Sequence, residues 1–158
     1  MDNILSEKEV FAIINAGKNL IEQCFIALLY ESWGRISEVI RLKIKDIKDD
    51  EKGRFTYIQK TVTKLGRKGR QKEYEVRHVV INKSLIYLRN WLHIHPHKNE
   101  PESPIFGTVH THNGKWVQIS RATAYRIVVD VAKCARIKKR VFPHLLRHSV
   151  ITIERNRG

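Results

Sequence analysis

The sequence has few of the residues and segments that mark several classes of protein. Only two cysteines occur, Cys24 and Cys134, far apart and each within an apolar helical pattern. This distribution favours buried reduced thiols over a disulfide or a metal site. No apolar run approaches the ~20 residues of a membrane span, and the N-terminal residues do not form a signal peptide. We therefore expect a cytoplasmic protein without membrane attachment.

Acidic residues are also scarce relative to basic ones. The 158 residues include 30 Lys and Arg against 16 Asp and Glu, a formal net charge of +14. Because like charges repel within a compact fold, this excess favours a polyanionic partner, and nucleic acid is the leading candidate. We therefore expect association with the nucleoid. The apolar fraction of 42% is ordinary, so the chain can fold as one domain.

The apolar periodicity predicts a mainly helical α+β domain with a small antiparallel sheet. Ser6 and Glu9 form a capping-box pattern at the start of the first helix, which Gly17 ends. Alternating residues predict two strands of a hairpin around a basic loop. The stretch 96–119 is predicted as a surface loop with a short extended piece at Ile105 and Phe106. Further helices are predicted over about 20–32, 37–42, 85–95 and 120–135, and from Pro143 onward.

Arg35 is the first residue that could carry chemistry. It follows Gly34 at a predicted helix start, and apolar residues bury one side of that helix. Glu38 lies one turn later, where it could orient the arginine through a charge-assisted bond. The alternative is a plain surface pair, which would contribute little to stability.

The loop at 64–72 is the second candidate, with five basic residues and two glycines in nine positions. A lysine in such a turn is a flexible cation that can reach a phosphate. It can also protonate a leaving oxygen if a neighbouring positive charge lowers its pKa. The alternative is a solvated turn that binds a nucleic-acid backbone without chemistry. The basic residues are Lys64, Arg67, Lys68, Arg70 and Lys72.

The third candidate is His144 with Arg147. A spacing of three residues places both side chains on one face of a helix. A guanidinium can hold two phosphate oxygens while an imidazole donates or exchanges a proton at another. By itself this spacing is also compatible with two unrelated helix residues.

In this order the three candidates resemble the tyrosine recombinase (phage integrase) family. The motifs that carry the resemblance are Gly34-Arg-Ile-Ser-Glu38, a hairpin lysine and His144-Leu-Leu-Arg-His-Ser149. The similar segments, 30–47, 87–106 and 137–152, cover most of the chain together with the hairpin. The narrower likeness is to integrases of archaea and archaeal viruses. The implied fold is the DNA breaking-rejoining catalytic domain, and the implied partner is double-stranded DNA.

The resemblance also implies a role for each candidate. Arg35 and Arg147 would bind the scissile phosphate, and His144 would act in proton transfer and phosphate contact. Lys64 would protonate the leaving 5′ oxygen, with Lys68 as the alternative. These charges would stabilise phosphoryl transfer without a metal or a cofactor. The expected supporting residues are Glu38 and His148, and the expected DNA contacts are the five basic loop residues with Lys138, Lys139 and Arg140.

The sequence departs from the family in its tyrosines. Family members carry the nucleophilic tyrosine well downstream of the His-x-x-Arg motif, whereas all five tyrosines here precede His144. They lie in segments that we predict as core helices or strands: Tyr30, Tyr57, Tyr74, Tyr87 and Tyr125. We therefore expect residues 1–158 to be one catalytic domain without an N-terminal DNA-clamping domain or the last helices. Such a chain would be inactive by itself, unless another integrase subunit supplies a tyrosine in trans.

Three other functions remain open at this point. A non-catalytic DNA-binding protein could keep the same fold and the same phosphate contacts. RNA is a second possible partner, because a basic hairpin loop does not distinguish RNA from DNA. A metal-dependent nuclease is the third, because alternating histidines can bind zinc on one strand face. Those histidines are His93, His95, His97, His110 and His112.

Overall fold

Six helices and two small antiparallel sheets make up the part of the chain that the structure describes. The structure is a computed structural model, and it describes residues 4–32, 34–64 and 73–157, without the side chains of 63, 64 and 73. The helices are α1 (Glu7–Asn15), α2 (Leu20–Glu31), α3 (Ile36–Ile40), α4 (Leu85–Ile94), α5 (Arg121–Cys134) and α6 (Pro143–Arg157). The strands are β1 (Ile47–Asp49), β2 (Thr56–Lys64), β3 (Glu73–Ile81), β4 (Gly107–Val109) and β5 (Trp116–Gln118). The mainly helical α+β prediction is confirmed.

Helix α2 is the centre of the domain. Every residue from Cys24 to Tyr30 is buried, which is the pattern of a helix surrounded by other elements. It contacts all five of the other helices. None of the described helices has the length and apolar character that crossing a membrane requires.

The starts of the helices follow from local sequence signals. The capping box at α1 is present: Ser6 Oγ accepts from Glu9 N at 3.1 Å, and Glu9 Oε1 accepts from Ser6 N at 3.0 Å. Ser120 caps α5 by accepting from Thr123 N at 3.0 Å, and Pro143 occupies the first position of α6. Proline suits that position because its φ is already helical.

The larger sheet has the order β1-β2-β3, with antiparallel pairs throughout. Along β2 one face is buried, at Thr56, Ile58, Lys60 and Val62. This period of two is the expected strand pattern, but it includes a lysine among the buried residues.

The prediction of a loop at 96–119 is wrong. This stretch contains the β4–β5 hairpin, and Ile105 and Phe106 are fully buried. The ring of Phe106 packs edge-on against that of Phe25, with 5.3 Å between centroids. Trp116 Nε1 donates to Pro104 O at 2.9 Å, so these tertiary contacts stabilise strands too short to show a clear alternation.

The cysteines divide between core and surface. Cys24 is buried in α2 as predicted, but the prediction of a buried Cys134 is wrong, because this residue is exposed. Cys134 is the last residue of α5, beyond the buried face of this helix that includes Val128 and Val131.

His95 is buried just after α4 and bonds through both ring nitrogens. Its Nδ1 accepts from His97 N at 3.0 Å, so its Nε2 carries the proton and donates to the carbonyl oxygens of Pro104 and Ile105, at 3.1 and 3.2 Å. This pattern requires the neutral imidazole. Burial lowers the pKa of His95 below its ordinary value of 6.5.

We predict that stability falls as the pH is lowered through the range below 6.5. The unfolded chain then binds a proton at His95 that the folded chain excludes, so protonation favours unfolding. Thermal unfolding at pH 7.5 and 5.5 should give a lower midpoint at 5.5. The carboxylates of Glu7, Glu9 and Glu102 have pKa values below 4.5 and stay ionised in this range.

The test variant is His95→Gln, and its matched control is His110→Gln. Because His110 is exposed, its variant should keep the pH dependence, whereas His95→Gln should weaken it. An equal pH dependence in both variants would assign the effect to another group.

Candidate active site

One open cleft is lined by residues at the starts of three helices, α3, α5 and α6. Its volume is about 480 Å³. We call it the basic cleft, because three arginines and a histidine line it and no Asp or Glu is among its described lining residues. The lining residues are Gly34, Arg35, Ile36, Ser37, Arg121, Tyr125, Phe142, Pro143, His144 and Arg147.

Arg35 enters the cleft from the residue that precedes α3. The chain turns tightly here, and Gly34 N donates to Ser32 Oγ at 3.2 Å. A Cβ atom at position 34 would lie 2.9 Å from Ser32 Oγ and 3.0 Å from Val39 Cγ2. Glycine therefore allows the close approach of the turn to α3 without a shift of Ser32 or Val39. Arg35 is exposed.

Glu38 supports this turn from within the protein. The residue is 8% exposed, and its Oε1 accepts from the backbone N–H of Arg35 at 3.2 Å. The same oxygen accepts from Lys60 Nζ at 3.2 Å. We predicted that Glu38 orients Arg35 through a charge-assisted bond; the described bond is to the arginine backbone.

Lys60 is a buried cation that the sequence analysis missed. It is 5% exposed, and its Nζ also donates to Ser32 O at 2.9 Å. Burial lowers the pKa of Lys60 below 10.5, whereas the Glu38 carboxylate raises it, and Arg77 and Arg147 lower it further. The available signal was its position between Ile58 and Val62 on the buried face of β2.

His144 and Arg147 lie in the first turns of α6. The opposite face of this helix is buried through Leu145, Leu146 and Ser149. Ser149 Oγ accepts from Leu5 N and donates to Leu145 O, both at 2.8 Å. These contacts hold α6 against the N-terminal segment, so that His144 and Arg147 point to the cleft.

The predicted lysine site falls partly outside the described residues. The backbone of Lys64 ends β2 and pairs with Glu73, but its side chain is not described. The other predicted loop residues lie outside the described part of the chain: Arg67, Lys68, Arg70 and Lys72.

The remaining predicted residues are spread around the site. Lys138 and Arg140 are exposed. Lys139 bonds within the protein, to Glu9 Oε1 at 2.8 Å and to Ile4 O at 2.9 Å. His148 is exposed and is not among the residues that line the cleft.

Two further residues in the cleft were not predicted, Arg121 and Tyr125. Tyr125 was assigned to a core segment, and this is wrong, because its side chain is 45% exposed and lines the cleft. Tyr74 is also exposed, at 68%. The sequence analysis missed the exposure of both tyrosines, because the outward positions of a helix or strand have the same sequence pattern whether they face solvent or a site.

Two of the histidines considered as metal ligands, His95 and His97, have other contacts. His95 uses both nitrogens as described above, and His97 Nδ1 lies 3.1 Å from Glu100 Oε2. Within residues 4–32, 34–64 and 73–157, no group of three or more His, Cys, Asp or Glu side chains is placed to hold a metal ion.

Comparisons with known proteins agree on one family. The model of the phage integrase family matches residues 3–158. A tyrosine recombinase of Synechococcus elongatus is 31% identical over 149 residues, covering 92% of this chain and 42% of that protein. The type 1 fimbriae regulatory protein FimB of Escherichia coli is 28% identical over 158 residues, covering 93% of this chain and 68% of that protein.

The archaeal relatives and a solved structure extend this result. Tyrosine recombinase XerA of Pyrococcus furiosus is 29% identical, covering 98% of this chain and 48% of that protein. A crystal structure of XerA recombinase superposes with a TM-score of 0.73 at 24% identity, over all of this chain and 51% of that chain. This likeness shows the fold. The chain spans about half or less of the length of these recombinases.

We predict that Lys60→Met destabilises the protein by about 3 kcal/mol, because it leaves the Glu38 carboxylate buried without its cation. Urea denaturation measures the change. The double variant Lys60→Met/Glu38→Gln removes both charges and should recover part of the loss. Lys45→Met, which breaks the exposed pair with Glu102, should have little effect. A double variant less stable than Lys60→Met would contradict the buried-pair account.

Proposed function

This chain belongs to the phage integrase family of tyrosine recombinases, and we propose that its basic cleft binds the DNA phosphate at which a strand is cut. The observation that carries the proposal is the convergence of Arg35, His144 and Arg147 in one cleft. These residues come from distant parts of the sequence, and the fold brings together the types that phosphoryl transfer requires.

The chemistry of these side chains suits a phosphodiester. Charge develops on the equatorial oxygens during phosphoryl transfer, and guanidinium groups stabilise it through paired hydrogen bonds. Arg35 and Arg147 would supply these bonds, and His144 would donate or accept a proton at the same group. A phosphotyrosine intermediate would conserve the energy of the broken bond, so that resealing needs no ATP.

The proton for the leaving 5′ oxygen would come from the hairpin. Lys64 is our first choice and Lys68 the second: Lys64 is the last residue of β2, and Lys68 lies in the basic stretch of sequence that follows. Lys60 is unsuited to this step, because its ammonium group is buried and bound to Glu38 and to Ser32 O. Glu38 would act indirectly, by holding the backbone of Arg35.

The wider DNA contact would involve the basic loop together with Lys138 and Arg140. Their charges would release counterions from the duplex and give a strong dependence of affinity on salt. The head group of Lys139 is bound to Glu9, so Lys139 would contribute less to binding than its neighbours.

The polypeptide of these 158 residues would bind DNA without forming a phosphotyrosine by itself. No tyrosine follows Tyr125 in the sequence, whereas the family places its nucleophile after the His-x-x-Arg motif. Another integrase subunit could supply that tyrosine in trans.

We predict that Arg147→Ala weakens binding to duplex DNA at least tenfold at constant salt, because a charge-assisted bond contributes about 1.5–3 kcal/mol. Fluorescence anisotropy with a labelled duplex measures the affinity, and a thermal melt shows whether the fold is kept. Arg89→Ala is the matched control, since Arg89 is exposed on α4 outside the cleft. Unfolding of Arg147→Ala would make the residue structural and remove the basis of the site.

We also predict that nicked half-site DNA yields no covalent protein–DNA band on denaturing gels, because the polypeptide lacks a tyrosine in the nucleophile's place. Tyr125→Phe is the critical variant, since Tyr125 is the described tyrosine that lines the cleft. A band with the unmodified protein that disappears in Tyr125→Phe would overturn the inactive assignment.

A further inference from the structure

Helix α5 places two side chains in the basic cleft beside the residues discussed above. Arg121 and Tyr125 are one turn apart, so their side chains are neighbours on one helix face. The opposite face of α5 is buried through Ala124, Val128 and Val131. The burial of that face fixes the orientation of the helix, and both residues therefore face the cleft from a rigid element.

Neither side chain forms a polar or ring contact with the described part of the fold. Within that part, Arg121 and Tyr125 have no hydrogen-bond, ion-pair or ring partner. Many other cations do pair with acids: Lys43 and Lys45 with Glu102, Arg54 with Asp50, Lys83 and Arg157 with Glu7, and Lys139 with Glu9.

Arg121 adds a positive charge to the cleft beyond the residues that the proposed function assigns to the first phosphate. No carboxylate is among the described lining residues to balance this charge, whereas a further phosphodiester would supply one negative charge. Successive phosphates of one strand are spaced by about 3.4 Å along the axis of the duplex. An open cleft of about 480 Å³ leaves room for a second phosphate beside the first.

We propose that Arg121 and Tyr125 bind a second DNA backbone phosphate, next to the one held by Arg35, His144 and Arg147. Arg121 donates to its oxygens as a charged group, and the Tyr125 hydroxyl donates a neutral hydrogen bond. These contacts read no base, so they fix the position of the strand in the cleft and contribute affinity for any sequence. The inference rests on the proposed function and adds a subsite to it.

The experiment measures the affinity for a 20-base-pair duplex over a range of salt concentrations. Arg121→Gln should reduce the slope of log affinity against log salt by about 0.9, the value for one neutralised phosphate. Arg126→Gln is the matched control, because Arg126 is exposed on the same helix and does not line the cleft. It should change the slope less. Arg121→Lys should keep the slope, since the charge remains.

Tyr125→Phe should weaken binding about fivefold, the effect of one neutral hydrogen bond, and should leave the salt slope unchanged. A thermal melt of each variant verifies that the fold is intact. Wild-type affinity in Tyr125→Phe would remove the tyrosine from the subsite.

The double variant Arg121→Gln/Arg147→Ala separates two phosphates from one. If Arg121 holds a phosphate of its own, the slope of the double variant lies about 0.9 below that of Arg147→Ala alone. Equal slopes in Arg147→Ala and in the double variant mean that Arg121 adds no phosphate to the one already held, and this result overturns the second subsite.

The two proposals fail in different ways. If Arg147→Ala weakens binding while Arg121→Gln behaves like Arg126→Gln, only the second subsite fails. If neither Arg147→Ala nor Arg121→Gln changes the affinity or its slope, the proposed function fails with it.

Discussion

The Glu38 carboxylate holds together the part of the protein on which the site depends. One oxygen accepts from the backbone of Arg35 and from the buried ammonium of Lys60, at 3.2 Å each. The bond to Lys60 joins β2 to the start of α3, and the bond of Lys60 to Ser32 O closes the same turn from the other side. Burial of an ion pair is costly unless its remaining hydrogen bonds are satisfied. The position of Arg35 therefore depends on a complete network beneath it.

Ion pairs offset part of the basic excess of this chain at several places on its surface. Acidic side chains outside the cleft form ion pairs that tie separate elements together, such as Glu7 with Lys83 and Glu9 with Lys139. The described lining of the basic cleft contains no such acid. These acidic residues therefore lie away from the cleft in which we propose that a phosphate binds. In the proposed function, the arginines and the histidine of this cleft supply the charge for phosphate binding.

Much of the fold was predictable because it follows from local signals. Ser6, Ser120 and Pro143 start their helices, and alternation identifies β2 and β3. The β4–β5 hairpin was not predictable in this way. Its strands have three residues each, which is too short for a clear period, and contacts from Trp116 and Phe106 stabilise them. The exposure of Cys134 was missed because an apolar pattern does not show where a buried stripe ends.

The sequence by itself determined the residue types, their order along the chain and the helix starts that carry Arg35, His144 and Arg147. Family membership follows from that order, because the combination is specific even though each motif is weak. Only the tertiary structure decided which side chains meet. Lys60 lies on the inward face of β2 and therefore binds Glu38, and Arg121 and Tyr125 lie on the face of α5 that borders the cleft. Proximity between residues distant in sequence depends on packing around α2, which no local pattern encodes.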